Sequence, residues 1–267
     1  MRCAISCEAP LPGLLGRRAG RARVPTLPDF IRDDERCVRP AQLFARCGHL
    51  GLAQAAPSVL PPYSNAFSKG YDELAADWVV WVSAIPASSN PLFDDDGSYG
   101  AVGQGGKVWH LVGTTGGSAS RSITVPTGVA VFFPIVNQFW INTPEFGDPP
   151  WSDEAEAAAR AFIAEIVNTA ENLVLEIDGK TYPNVYTLRA ASPVAMCMLP
   201  PVDNIFGVIL EPVPRECLAD GYWALLPPMS VGEHTVRFAG GFSYGGGFSL
   251  DVTYHVTVKP RHKAGGL

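Results

Sequence analysis

EHTVRFAGGFSYGGGFSLDVTYHVTV, residues 233–258, is the stretch whose reading decides the fold. Within it Gly241, Ser243 and Gly245 spell G-x-S-x-G, the nucleophile elbow of many esterases and lipases. An elbow needs a strand, a sharp turn and then a helix, with an acid and a histidine following in the chain. EHTVRFA (233–239) supplies the strand. After Gly245 come two more glycines and then strict alternation. Phe248, Leu250, Val252, Tyr254, Val256 and Val258 face one way, and Ser249, Asp251, Thr253, His255 and Thr257 the other. That pattern is a half-buried strand. Asp251 and His255 share one face of it and run away from the turn, so they do not both close on Ser243 in a relay. Five glycines among the eight residues from Gly240 to Gly247 predict a hairpin loop with Ser243 at its tip.

Outward from this hairpin most of the chain reads as strand. VAVFFPIV (129–136), FGVILEP (206–212) and GYWALLP (221–227) are apolar on both faces, as strands between layers are. LVLEIDGKTY (173–182) alternates and then turns at Asp178-Gly179, a hairpin signal. Two segments have helical spacing. In 69–86, Tyr71, Leu74, Trp78, Trp81, Val82 and Ile85 recur at three- and four-residue steps and stop at Pro86. The two tryptophans of that stripe read as core rather than as a stacking platform. In the second, Ser152 caps, Asp153, Glu154 and Glu156 fill the first turn, and Ala159, Phe162, Ile163, Ile166, Val167 and Ala170 line one face. The predicted fold is all-β, an antiparallel sandwich of jelly-roll or immunoglobulin-like type with two accessory α-helices.

The chain has 267 residues, 47% hydrophobic and 17% charged, enough for one core of about 200 residues and a leader. Charge divides unevenly. Residues 1–55 hold nine arginines, no lysine and five acids, and residues 56–267 hold eleven basic and twenty-one acidic side chains. A body that acidic disfavours nucleic acid, whose phosphates need Lys and Arg. In GLAQAAPSVLPP (51–62), Ala53 and Ala55 form an A-x-A site, which predicts cleavage after Ala55, a leader over 1–55 and a single sandwich domain over 56–267. The segment before that site is broken by Arg46 and His49 and is not an ordinary apolar leader core. The expected location is secreted or periplasmic. Four of the six cysteines fall in the leader, and Cys197 and Cys217 are left to pair with each other. No body segment is a long uncharged apolar run, so no membrane span is expected.

Two loops attract functional readings. NPLFDDDGSYGAVGQGGK (90–107) misses the phosphate-loop and EF-hand spacings, but Asp94 and Asp96 are candidate Ca²⁺ ligands against the alternative of a solvated acidic turn. NQFWINTPEFGDPPW (137–151) interleaves amides and acids with aromatic rings, as sugar-binding grooves do. Asn137, Trp140, Asn142 and Glu145 are the candidate ligand-binding residues. Glu145 and Asp148 are the candidate acid pair of a glycoside-type hydrolase. A crossover whose aromatics plug the end of the sandwich is the structural alternative. His110, in VWHL, reads as a core histidine rather than a metal ligand.

DWVVWVSAIPASSNPLFDDDG, GQGGKVWHLVGTTGG, RSITVPTG and VFFPIVN, within residues 77–137, resemble a group of uncharacterised exported bacterial β-rich proteins. LPPMSVGEHTVRF (226–238) is a looser likeness and shares a P-x-x-x-G-E-H form with immunoglobulin-like hairpins. The resemblance implies export and a β-rich fold and no chemistry. Two cysteines expected near Gly100 and Ile123 are absent here, and His110 stands where the pattern has an aromatic. The functional expectation is an exported binding or structural module with a polysaccharide or oligosaccharide ligand. The alternative is a hydrolase of an extracellular polymer.

Overall fold

The computed structural model describes residues 58–64 and 66–260. The expected leader and its cleavage point after Ala55 lie outside them. In chain order the elements are α1 (Tyr71–Ala84), β1 (Val108–His110), β2 (Gly117–Pro126), β3 (Ala130–Ile141), α2 (Asp153–Val167), β4 (Ala170–Ile177), β5 (Lys180–Thr181), β6 (Arg189–Ala191), β7 (Ala195–Cys197), β8 (Arg215–Leu226), β9 (Gly232–Phe242) and β10 (Phe248–Lys259). Among the described residues ten strands form two sheets, neither closed into a barrel. One runs β1-β3-β8-β6, with β7 also paired to β8, and the other runs β2-β10-β9-β4-β5.

The β-rich expectation holds, with both helices in place. The purely antiparallel expectation does not: β1 pairs parallel with β3, and β2 pairs parallel with β10. Between β1 and β3 the chain crosses to the other sheet to make β2 and returns, so it re-enters the first sheet in its original direction. Alternation in a sequence reports burial of one face and is blind to the neighbour's direction.

Each helix forms where local chemistry starts and stops it. The Gly70 N–H donates to Glu73 Oε2 at 3.0 Å, and Ile85 leaves the helix in extended conformation before Pro86. The Ser152 hydroxyl accepts from Ala155 N at 3.2 Å, and three acids occupy the first turn of α2. Trp78 of α1 donates from Nε1 to Leu111 O at 2.8 Å and meets Trp223 of β8 and Phe139 of β3 edge-on. It is core, as its spacing predicted. Phe132 stacks on Trp223 at 5.4 Å in the same layer. On the other face of β3, Phe133 stacks on Phe238 of β9 at 4.9 Å, which ties the two sheets into one core. Residues of β8 are therefore buried on both faces, between α1 and the second sheet.

Pro134 sits in mid-strand because the register shifts between it and Val136, a bulge that removes the need for its missing N–H. Beyond the bulge β3 continues to Ile141, so NQFWI, read above as loop, is strand. FGVILEP is the converse: it is not a strand but part of the β7–β8 connection. Pro200, Pro201, Gly207, Pro212 and Pro214 around it deny the backbone a ladder.

Candidate functional site

Glu145 is held by Arg215, the first residue of β8, whose side chain is only 3% exposed. Arg215 Nη1 donates to Glu145 Oε2 at 2.8 Å and Nη2 to Oε1 at 2.6 Å, while Glu211 N also donates to Oε1 at 3.1 Å. Hydrogen bonding from Arg215, helped by the Glu211 amide, holds the Glu145 carboxyl down to about 2. A carboxyl that stays ionised this far has no proton to give as a general acid near neutrality. Asp148 Oδ2 accepts from Thr143 N at 2.8 Å and closes the turn that carries Glu145. Both members of the expected acid pair are fasteners of one loop.

The expected sugar-binding set does not converge. From Val136 onward β3 runs without a bulge, so Asn137 shares the face of Phe139, which packs on Trp78 of α1. Trp140 points to the opposite face, with its ring edge-on to Phe162 of α2 at 5.7 Å. Asn142 is buried beyond the strand end, its backbone N–H donating to Glu216 O at 2.8 Å. Alternation alone separates positions 137 and 140 once 137–141 is known to be strand.

Asp94 is buried, and its carboxylate takes three backbone amides: Oδ1 accepts from Asp96 N and Gly97 N at 3.1 and 3.0 Å, and Oδ2 from Tyr99 N at 2.7 Å. Asp96 Oδ1 accepts from Ser98 N at 2.9 Å, and hydrogen bonds from Ser98 lower its carboxyl. The buried Arg121 completes this loop: Nε donates to Asp94 O, and Nη1 to Val112 O, Gly113 O and the Tyr254 hydroxyl. The two aspartates thus build a turn from their own backbone amides. Among the described residues no group of three or more His, Cys, Asp or Glu side chains gathers as a metal site.

Ser243 lies exposed at the tip of the β9–β10 hairpin, where Phe242 pairs with Phe248. A different serine has the neighbours of a relay. His234 Nδ1 lies 2.9 Å from Asp178 Oδ2, and Nε2 lies 3.1 Å from Ser230 Oγ. The same Nε2 is 3.0 Å from the Ser230 carbonyl oxygen, and Asp178 Oδ1 accepts from Thr235 N at 2.9 Å. A ring nitrogen facing a carbonyl at that distance is placed to donate to it, which is the wrong role for a base toward the adjacent hydroxyl. The cluster latches the Asp178-Gly179 turn to the β8–β9 connection.

His110 packs against Trp81 (ring centroids 5.2 Å apart) and Phe132, with Nδ1 buried and, among the described residues, unpartnered. Desolvation pushes it down to about 4, so the ring is neutral at ordinary pH. A shallow groove along α1, lined by Val80, Trp81, Ala84, Ile85 and His110, lies beside it. Its floor is apolar, with the Asp77 carboxylate at the rim paired to Lys69.

The β3–α2 loop meets the β7–β8 connection, and the β9–β10 tip meets α2 and Thr169. Phe146 meets Phe206 edge-on at 5.5 Å, Phe162 of α2 meets Tyr244 at 6.4 Å, and Tyr244 N donates to Thr169 Oγ1. Residues 200–210 close on themselves: Leu210 N donates to Pro201 O at 2.8 Å, and Asn204 Nδ2 bonds the carbonyls of Pro200 and Val208. This is a compact Ω-type loop. The Cys197–Cys217 disulfide, expected from the sequence, clips its base, and both cysteines are fully buried. Met196, Met198, Val202, Val208, Ile209 and Val213 are six of the fourteen exposed large hydrophobic side chains among the described residues, one in β7 and five on the β7–β8 connection. Their surroundings are acidic. Residues 142–169 and 196–217 contain nine acids and two arginines, and each arginine already pairs with one of those acids: Arg160 with Glu156, Arg215 with Glu145.

No described helix is long and apolar enough to cross a membrane. No family model matches the chain, and no curated protein does either. Among solved structures it is similar to a cysteine protease inhibitor from Entamoeba histolytica, at 11% identity and a TM-score of 0.20, over 58% of this chain and 100% of that one. It is also similar to Amebosin, at 10% identity and a TM-score of 0.15, over 54% of this chain and 98% of that one. Likeness at this level transfers neither fold nor activity to this chain.

Proposed function

We propose that the chain is an exported, secreted or periplasmic, non-catalytic binding module on an immunoglobulin-like sandwich, and that it binds a protein through its loop end. Strand order supports the fold type. The orders β3-β8-β6 and β2-β10-β9-β4-β5 correspond to the B-E-D strands and the edge-G-F-C-C′ strands of immunoglobulin-like domains. Loops that join the sheets at one end are the usual recognition elements of such domains. The observation that carries the binding reading is the cluster of exposed aliphatic side chains on the clipped β7–β8 connection. Aliphatic groups suit a protein surface. A carbohydrate ligand would be met by flat rings and amides, and Asn137 and Trp140 lie on opposite faces of β3. A polymer hydrolase draws no support from Glu145, whose carboxylate Arg215 occupies.

The test is a benzophenone amino acid placed at Ile209 or, as a control, at the exposed Val231 of the β8–β9 connection, in the full chain made by its native producer. Irradiation gives a discrete protein adduct from position 209 and none from 231. Equal labelling from both positions, or no adduct from either, removes the loop end from the account.

A further inference from the structure

We infer that the partner of this loop end is a cationic protein surface with an apolar cleft, and that a second copy of this chain is not the occupant. The inference rests on the binding reading above and goes further by fixing the partner's chemistry. The Ω loop exposes Val202, Val208 and Ile209, and exposed aliphatic groups on a loop are complemented by an apolar cleft. The segments that meet around this loop, 142–169 and 196–217, carry one sign of net charge. Asp203 and Glu211 stand on the β7–β8 connection, and Asp148, Asp153 and Glu154 stand on the neighbouring connection and the first turn of α2. The arginines of these segments, Arg160 and Arg215, are spent on Glu156 and Glu145. Two copies meeting through this end would bring like charges together around a dry centre, which opposes association. A partner with Lys or Arg around its cleft removes that repulsion and is steered toward the loop.

The loop is built to arrive in shape. Both cysteines at its base are inaccessible, Asn204 fills its centre with two carbonyl bonds, and Arg215 ties its C-terminal limb to the turn carrying Glu145 and Phe146. Little ordering is left for the moment of binding, which lowers the entropic cost of association.

The same benzophenone probe at Ile209 tests the partner's chemistry, with the crosslinked peptides sequenced by mass spectrometry. The expected adduct joins position 209 to an apolar segment flanked by Lys or Arg. Its yield falls several-fold when irradiation is carried out at roughly 0.5 M rather than 0.05 M salt, since exposed charges are screened over a few ångströms at the higher value. Glu211→Lys, which leaves the melting temperature unchanged, lowers the yield likewise. An adduct to an acidic or uncharged segment, or a yield indifferent to salt and to Glu211→Lys, overturns the inference while leaving the binding site in place. An adduct to this chain's own sequence, with dimers in sedimentation, overturns it in favour of self-association. Absence of any adduct from position 209 removes the binding reading and this inference together.

Discussion

Arg215 and Glu145 stand seventy residues apart in the chain and meet in a two-pronged ion pair, one side buried and the other facing solvent. The pair joins the turn after β3 to the first residue of β8 and fixes where the Ω loop leaves the sheet. Removing the Glu145 charge leaves a buried guanidinium without its counter-ion. Glu145→Gln is expected to cost about 1.5–3 kcal/mol in urea denaturation, the range for hydrogen bonds to charged groups. The pH sign follows from the depressed carboxyl. Its contribution is complete above the ordinary glutamate value near 4.5 and is lost as pH falls through about 2. Wild type should lose stability in that window more steeply than Glu145→Gln.

His110 gives a second pH signature, with the loss lying higher. Its value is lowered in the fold, chiefly by desolvation, so the unfolded chain binds the proton more readily. Stability is complete above about 6.5 and falls as pH drops toward about 4. His110→Phe keeps the ring contacts with Trp81 and Phe132 and deletes the unpartnered Nδ1. We expect a gain of about 1 kcal/mol at pH 7 and a flatter melting profile between pH 6.5 and 4. An unchanged profile would assign that acid sensitivity to other groups.

The disulfide should matter to the whole fold and not only to its loop. Closing a link twenty residues apart in sequence is worth roughly 3 kcal/mol in the chain-entropy account. The Cys197→Ala/Cys217→Ala double variant is expected to melt lower by that free energy. Because both sulfurs are buried, a mild reductant applied to the folded protein should leave the bond intact, and thiol titration before and after denaturation reads this directly.

Two serines separate motif from geometry. Ser243→Ala is expected to shift stability by less than about 0.5 kcal/mol, as an exposed loop tip does. His234→Ala removes the link between Asp178 and the Ser230 carbonyl and, with it, a buried ring, and should cost about 1–3 kcal/mol. A fluorophosphonate probe is expected to label neither Ser243 nor Ser230. Labelling of Ser230 that vanishes in His234→Ala would turn the latch into a nucleophile.

By itself the sequence determined what repeats locally. The alternation from Phe248 to Val258, the Asp178-Gly179 turn, the Ser152 cap and the stripe ending at Pro86 all appear as elements where their spacing puts them. It also left Cys197 and Cys217 only each other. These features are written in neighbours, because hydrophobic period, caps and turn residues act within a few positions. Tertiary structure decided the rest. NQFWI is a strand end and the apolar stretch FGVILEP is a loop, because Trp140 finds Phe162 while, among the described residues, Val208 and Ile209 stay exposed. Parallel pairing of β2 with β10 and the capture of Glu145 by Arg215 join residues more than sixty positions apart. Such pairings depend on which surfaces meet once the two sheets pack, and no local pattern of side chains encodes that choice.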